Sequence, residues 1–237
     1  MKNLKNWDKK TWLSSSRYTS SIINFLEKRI KLNKETKVLD VGCGRGKIIS
    51  AFSEKYHMSN LPLGVDIVNH KNAARKIKFV KTNALKYLGK TKKKFDLILF
   101  KQSIHFFKFS EIRKILSYSK KKLNTNGKII ILALYPKQNY WPLFKVFKIK
   151  LIKSLKKDKK ILDLIKSNFK KYKINYFIFN VKITKNLYLQ MIKNRFTSCL
   201  LDLSSKELKI GMEEIKKKYK TKLVFNDKLI CISYKKK

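Results

Sequence analysis

Apolar residues along this chain fall into short blocks, and the blocks alternate between two spacings. Val38-Leu39-Asp40-Val41 has the length and character of a buried strand. Glycine follows at every second position, as Gly42, Gly44 and Gly46. Ile48, Ile49, Ala51 and Phe52 then recur at helical spacing. Strand, glycine turn and helix form the opening unit of a doubly wound α/β fold. The same alternation marks further strands at 63–67, 77–81, 95–100 and 128–134. A helix is predicted over 112–123, with a turn at Asn124-Thr125-Asn126-Gly127. Strands separated by helical stretches predict a parallel sheet covered on both faces.

The flanks follow a different rhythm. In residues 1–35, Trp7, Trp12 and Tyr18 precede a stripe of Ile22, Ile23, Leu26 and Ile30, which predicts a helix over one edge of the fold. Ser14-Ser15-Ser16 supplies its start signal. Trp7 and Trp12 read as packing residues, with closure of a ligand pocket as the alternative. After Pro136, Pro142 opens a predicted helix running to Leu155, and Ile161, Leu162, Ile165 and Phe169 form a second stripe. Residues 137–171 therefore read as an inserted helical cap. A strand at 176–183 and helices at 187–195 and 205–219 come next. Two strands, 223–225 and 229–234, close the sheet across a turn at Asn226-Asp227, and the last three lysines are predicted to fray. The expectation is one domain over 1–237. Its parts are an N-terminal helical segment (1–35), a core (36–136), the cap (137–171) and a tail completing the sheet (172–237).

Composition narrows this picture. A chain of 237 residues can bury a sizeable core as one domain. No apolar run approaches the roughly 20 residues that span a bilayer, and the first eight residues lack the apolar centre of a signal peptide. No membrane partner is expected. Cys43, Cys199 and Cys231 are widely spaced, without a Cys-x-x-Cys pair or a Cys/His cluster. The reading is a cytoplasmic protein with reduced thiols and no metal. The formal charge is +44, from 59 basic and 15 acidic residues. A nucleic-acid partner is the first thought. Only six of the basic residues are arginines, however, and the lysines are scattered over nearly every segment. Nucleic-acid recognition favours arginine for its bidentate and stacking geometry. The charge reads as coding bias, so nucleic acid is not the favoured partner. Nothing in the chain sets an oligomeric state.

The glycine turn carries the chemistry. It holds three of the seven glycines in the chain. Dinucleotide enzymes use GxGxxG with the pyrophosphate on the helix N-terminus. Here the pattern is GxGxG, with Lys47 where the later glycine would stand. Asp40, two residues before Gly42, would oppose a pyrophosphate and suits a cationic group. Asp66, twenty residues past Gly46 at the end of the second strand, can accept both hydroxyls of a ribose. Together the two acids suggest a nucleoside carrying an amino-acid end.

The stretch 38–46 resembles the cofactor signature of class I S-adenosylmethionine-dependent methyltransferases. Gly64-Val65-Asp66, Asn83-Ala84, Phe95-Asp96-Leu97-Ile98 and 123–128 match in order, so the likeness covers roughly 36–134. The segment 102–107 and, less specifically, 195–204 are similar to the type-11 methyltransferase domain branch. The resemblance implies an α/β fold with a Rossmann-like doubly wound sheet, mostly parallel with an antiparallel last strand. It also implies roles. The backbone of Gly42, Cys43 and Gly44, with Gly46 completing the turn, would cradle the methionine end of S-adenosylmethionine. Asp40 would help hold its ammonium, and Lys101 would offer backbone to the amino-acid end. Asp66 would take the ribose hydroxyls, and Ile67 would lie against adenine. Asn83 and Ala84 would read the adenine edge. Aspartate is usual at position 83, and the Asn83 amide oxygen can accept the same hydrogen bond without the charge.

Methyl transfer asks for alignment first, and for a base only when the acceptor must lose a proton. His105, just past the fourth strand, is the candidate base, with local packing as its other reading. Gln102 and Arg195 are the candidate substrate-binding residues, since Arg pairs bidentately with carboxylate or phosphate. An Asn-Pro-Pro-Tyr-like motif and paired cysteines are both absent. Their absence speaks against amino-group methylation of bases or glutamine and against methylation of base carbons. The reading is a methyltransferase acting on a small molecule. An RNA methyltransferase and a non-catalytic cofactor- or partner-binding domain are the alternatives.

Overall fold

The computed structural model describes residues 11–68, 74–137 and 141–237. Trp7 lies outside the described residues. The elements in order are α1 (Ser16–Glu27), β1 (Val38–Val41), α2 (Lys47–Lys55), β2 (Leu63–Asp66), β3 (Lys78–Lys81), α3 (Ala84–Lys90), β4 (Phe95–Lys101), α4 (Phe109–Lys121), β5 (Leu123–Leu134), α5 (Lys145–Asn168), β6 (Lys173–Thr184), α6 (Lys185–Lys193), α7 (Ser205–Lys218) and β7 (Lys222–Lys235). The strands form one sheet in the order β3-β2-β1-β4-β5-β7-β6. β1 pairs in parallel with β2 and β4, β2 with β3, and β4 with β5. β5 and β7 run antiparallel, from Lys128 opposite Lys235 to Leu134 opposite Leu229. This is the Rossmann-like, mostly parallel α/β sheet that the alternation predicts.

The chain divides into two compact units. The first comprises Ser20–Leu134, Lys160–Phe177 and Leu229–Lys237. Its centre is apolar because β1, β4 and the 129–134 part of β5 are nearly continuous hydrophobic runs, as a strand covered on both faces requires. Leu39, Val41, Ile98, Leu99 and Ile130 are essentially inaccessible. α2 contributes Ile49 and Phe52, and α4 contributes Ile112, Ile115 and Leu116, each from one face at helical spacing. The predicted turn at 124–127 is a wide interruption inside β5. Phe95 pairs with Leu123 while Leu97 pairs with Lys128, so four residues loop out of the register. Asp96 holds that loop, accepting from Asn124 Nδ2 (2.7 Å) and from the Lys37 amide (2.8 Å). Lys235 and Lys236 are held rather than frayed. β7 runs to Lys235, and the Lys236 amide donates to the Gly127 carbonyl (2.9 Å).

The second unit comprises Tyr135–Lys159, Ile178–Lys228 and the described part of Met1–Thr19. It is built on aromatic packing. Trp12 meets Trp141, Phe196 and Phe225 edge-on, with centroids 5.2–5.6 Å apart. The Trp12 indole N–H donates to Asp227 Oδ2 (3.1 Å), and Tyr18 also bonds to this fully buried carboxylate. This explains a difference from the sequence reading. Asn226-Asp227 is no turn but the middle of the single strand β7, because Asp227 turns inward to a polar partner. Of the two readings of Trp12, packing describes its surroundings. Gly211 on α7 lies against Phe144, where a Cβ would come within 2.5 Å of the ring.

The stretch 137–171 also differs. Its two predicted helical stripes belong to one 24-residue helix, α5, which starts at Lys145 rather than at Pro142. The lysines between the stripes are good helix formers and carry the helix through. The Lys145 amide is capped by Glu214 Oε2 (2.9 Å). Residues 145–159 belong to the second unit and the rest of α5 to the first.

Candidate functional site

Residues of the first unit build the site at the C-terminal ends of β1, β2 and β4. All four residues of β1 are buried, so the chain leaves the sheet only at the glycine turn. The amides of Gly42 and Cys43 both donate to the Val65 carbonyl (2.8 and 3.2 Å), which bends the turn over β2. Gly42, Gly44 and Gly46 have φ of 72°, 56° and 70°, where a side chain is strained. Two of the three are also crowded. A Cβ on Gly42 would stand 2.4 Å from the Ser103 Cβ, and one on Gly46 would stand 2.3 Å from the Ile77 Cδ1. Among the described residues, a Cβ on Gly44 would meet nothing within 4 Å. Gly44 is thus the point where bare peptide faces open space. Gly42→Ala combines left-handed strain with a clash against Ser103, whose hydroxyl is already bonded to the Val41 carbonyl (2.5 Å). The expected loss of unfolding free energy is roughly 2–4 kcal/mol, readable by urea denaturation.

The turn is tied to the second strand by an acid. Asp66 Oδ2 accepts from the Gly44 amide and Oδ1 from the Val68 amide, both at 2.9 Å. Asp40 is different. It is 4% exposed, and its Oδ1 is buried with no hydrogen-bond partner in the described structure. Burial pushes its carboxyl up to about 7. The Lys101 ammonium pulls against that shift, and the Asp66 charge adds to it. The Gln102 side-chain oxygen is likewise buried without a partner, on a residue strained at φ 52°. Unmet buried acceptors are costly unless a ligand completes them. Each suits a cationic, hydrogen-bond-donating group such as an ammonium. Cys43 is no nucleophile, since burial and the charges of Asp40 and Asp66 hold its thiol far above the usual range. Its sulfur instead occupies the space left by Gly64, where a Cβ would stand 2.6 Å away.

Past β2, Ile67 is 44% exposed, an apolar surface beside Asp66. Asn83 caps α3, its Oδ1 accepting from the amides of Leu85 (2.8 Å) and Lys86 (3.3 Å). The oxygen expected to meet an adenine amino group thus also caps the helix, and Ala84 begins the helix with its side chain buried. Helix α3 itself was not predicted. An asparagine followed by Ala84 and Leu88 at i, i+4 is the signal that marks it. Asn83→Ala should cost about 1 kcal/mol of stability by removing the cap, measurable by thermal denaturation.

His105 sits in a single 3-10 turn, Ile104–Phe106, directly after β4. Its ring leans on Phe106 with centroids 4.2 Å apart. Arg195 belongs to the second unit. Its Nη1 donates to the carbonyls of Leu200 (2.5 Å), Leu203 (2.6 Å) and Leu201 (3.4 Å), so that edge of the guanidinium organises its own loop. Ser103 escaped the sequence reading. Its role follows only from the close approach of Gly42, which a single sequence does not display.

The profile of a methyltransferase-domain family matches residues 13–164, well over half of the chain. The chain belongs to the methyltransferase-domain family. This accords with the class I likeness carried by 36–134. Among solved structures, the methyltransferase fold recurs across nearly the full length. The YcgJ protein from Bacillus subtilis aligns with a TM-score of 0.57 at 17% identity, covering 92% of this chain and 98% of that one. A SAM-dependent methyltransferase from Archaeoglobus fulgidus aligns at 0.56 and 19% identity, covering 92% and 94%. A SAM-dependent methyltransferase from Geobacter sulfurreducens, in complex with S-adenosyl-L-homocysteine, aligns at 0.53 and 14% identity, covering 89% and 88%. A search of curated protein sequences returns no match.

Proposed function

We propose that this methyltransferase-family chain transfers a methyl group from S-adenosylmethionine to an oxygen, nitrogen or carboxylate of a small-molecule acceptor. S-adenosylhomocysteine is the other product. The observation that carries the reading is the buried, unpartnered Asp40 Oδ1 beneath an open glycine backbone whose Gly44 amide is held by Asp66. A nucleoside with an amino-acid end matches that set of groups, and a pyrophosphate does not. The similar Geobacter sulfurreducens protein carries S-adenosyl-L-homocysteine.

The cofactor supplies an activated methyl group on a sulfonium, so the protein has little bond-making to assist. The backbone of Gly42, Cys43 and Gly44 binds and orients the methionine end. Asp40 and the Gln102 oxygen receive its ammonium, and Lys101 offsets the charge of Asp40. Asp66 keeps acceptor capacity for the ribose hydroxyls, since each carboxylate oxygen has more than one lone pair. Ile67 packs against the base, and the Ala84 amide, which the Asn83 cap does not take, reads its edge. Fixing the reactants in line can be worth an effective molarity of about 10⁵–10⁸ M. His105 stands at the exit of β4 as the base for acceptors that must lose a proton. Arg195 shapes the loop after α6 through Nη1, and the rest of its guanidinium is the candidate grip for an acceptor carboxylate or phosphate.

The test is calorimetric titration of the purified chain with S-adenosylhomocysteine, with NAD as control. Micromolar binding of the first and none of the second is the expected result. Transfer of labelled methyl to a small-molecule pool rather than to RNA then supports the acceptor class. Binding of NAD alone overturns the reading of the glycine turn, and labelling of RNA overturns the acceptor class.

A further inference from the structure

Residues 145–159 of α5 all lie in the second unit. Phe147, Leu151 and Asp158 are buried and mark the inner line of the helix. At 100° per residue, the opposite line runs through Ile149, with Ile152, Lys145, Lys153 and Lys156 to either side. Ile149 is 59% exposed and Ile152 45%. All seven lysines between 145 and 159 are exposed, while Asp158, the one acid in the stretch, is buried. Within α5 the outward face is therefore an aliphatic pole flanked only by lysines, and acids reach the helix from α7 at Lys145 (Glu214) and Lys150 (Glu207). On α7, by contrast, the exposed Ile210 shares its helix with Glu207, Glu213 and Glu214.

We propose that this face of α5 docks on an anionic lipid surface, with Ile149 and Ile152 entering the interface and the flanking lysines meeting the headgroups. Charge complementarity selects an anionic partner, and the aliphatic pole selects a lipid one. A helix with lysines around an apolar strip gains from both at a membrane interface. A nucleic acid would use arginine and exposed aromatic rings, and 145–159 has no arginine and a buried Phe147. Docking is peripheral, because among the described residues no helix is long and apolar enough to cross a membrane. It departs from the expectation of no membrane partner, which rested on the absence of a spanning run.

Sedimentation of the full chain with phosphatidylcholine vesicles, with and without phosphatidylserine, is the test. Binding is expected only with phosphatidylserine. The double variant Ile149→Gln/Ile152→Gln keeps the charge and should lower vesicle binding about tenfold, with S-adenosylhomocysteine binding and thermal midpoint unchanged. Lys153→Glu/Lys156→Glu should lower it more than the same change at the exposed Lys92 and Lys93 in the first unit. Equal losses at the two lysine pairs, or full binding by the glutamine variant, would mean that bulk charge alone attracts the vesicles and would overturn the proposal. So would α5 substitutions that weaken single-stranded RNA binding while sparing vesicles.

Discussion

Asp66→Ala is expected to abolish measurable cofactor binding while leaving the chain folded. The carboxylate has two tasks that the substitution removes together. In the structure it fixes the turn, accepting from the Gly44 and Val68 amides. In the proposed complex it also accepts the ribose hydroxyls. Hydrogen bonds to a charged group contribute about 1.5–3 kcal/mol each. Losing two of them from the complex weakens binding by about 3–6 kcal/mol, or roughly 10²- to 10⁴-fold. Asp66→Asn should resemble the alanine variant rather than rescue it. Both carboxylate oxygens already face backbone N–H donors, so an amide NH₂ would meet one of them donor to donor. Titration with S-adenosylhomocysteine, checked by circular dichroism, reads both variants. Wild-type affinity in a folded Asp66→Ala protein would sink the ribose assignment, and a fully active Asn variant would show that the two backbone contacts are unimportant.

Much of the fold is legible because its first half obeys one rule. β1, β2 and β4 are short, largely apolar and followed by a polar break, so the period changes where the element changes. The reading goes astray where tertiary contacts overrule local signals. Asn226-Asp227 looks like a turn by composition, yet Asp227 points inward to Trp12 and the strand runs on. Such a contact spans 215 positions and has no local trace. The lysines between Leu155 and Ile161 look like a break between two helices, and they are the solvated side of one. In α3 the local signal was present but brief, at seven residues.

The cofactor side of the site is legible for a related reason. Backbone recognition forces glycine, and the acids at the ends of β1 and β2 follow from strand positions alone. Other features are not, because they depend on what approaches the turn in space. Ser103 lies 61 positions from Gly42, and only the fold brings the two together. Asn83 reads from the sequence as an acceptor for adenine, and only the fold shows that its oxygen also caps two open amides at the start of α3.

Asp40 should make cofactor affinity fall with acid, and make the unliganded chain less stable with alkali. Burial raises its carboxyl to about 7 from the usual 3.8, with Lys101 opposing and Asp66 reinforcing the shift. Between those two values the unfolded chain has released the proton and the folded chain still holds it. Folding therefore takes up a proton, and stability declines as pH rises from about 4 to about 7. A shift of that size corresponds to up to about 4 kcal/mol lost across the window. Ligand binding has the opposite sign, because an ammonium at Oδ1 stabilises the ionised carboxylate. Below about pH 7 each unit of acid should weaken S-adenosylhomocysteine binding by about tenfold, and above it the affinity should level off. Asp40→Asn removes the titration. It should bind weakly with a flat profile between pH 5.5 and 7.5, and its thermal midpoint should no longer decline over that range. Titration calorimetry and thermal denaturation at matched ionic strength separate the two effects. A wild-type acid limb that persists in Asp40→Asn would move the proton to another group and leave the buried carboxylate without its role at the ammonium.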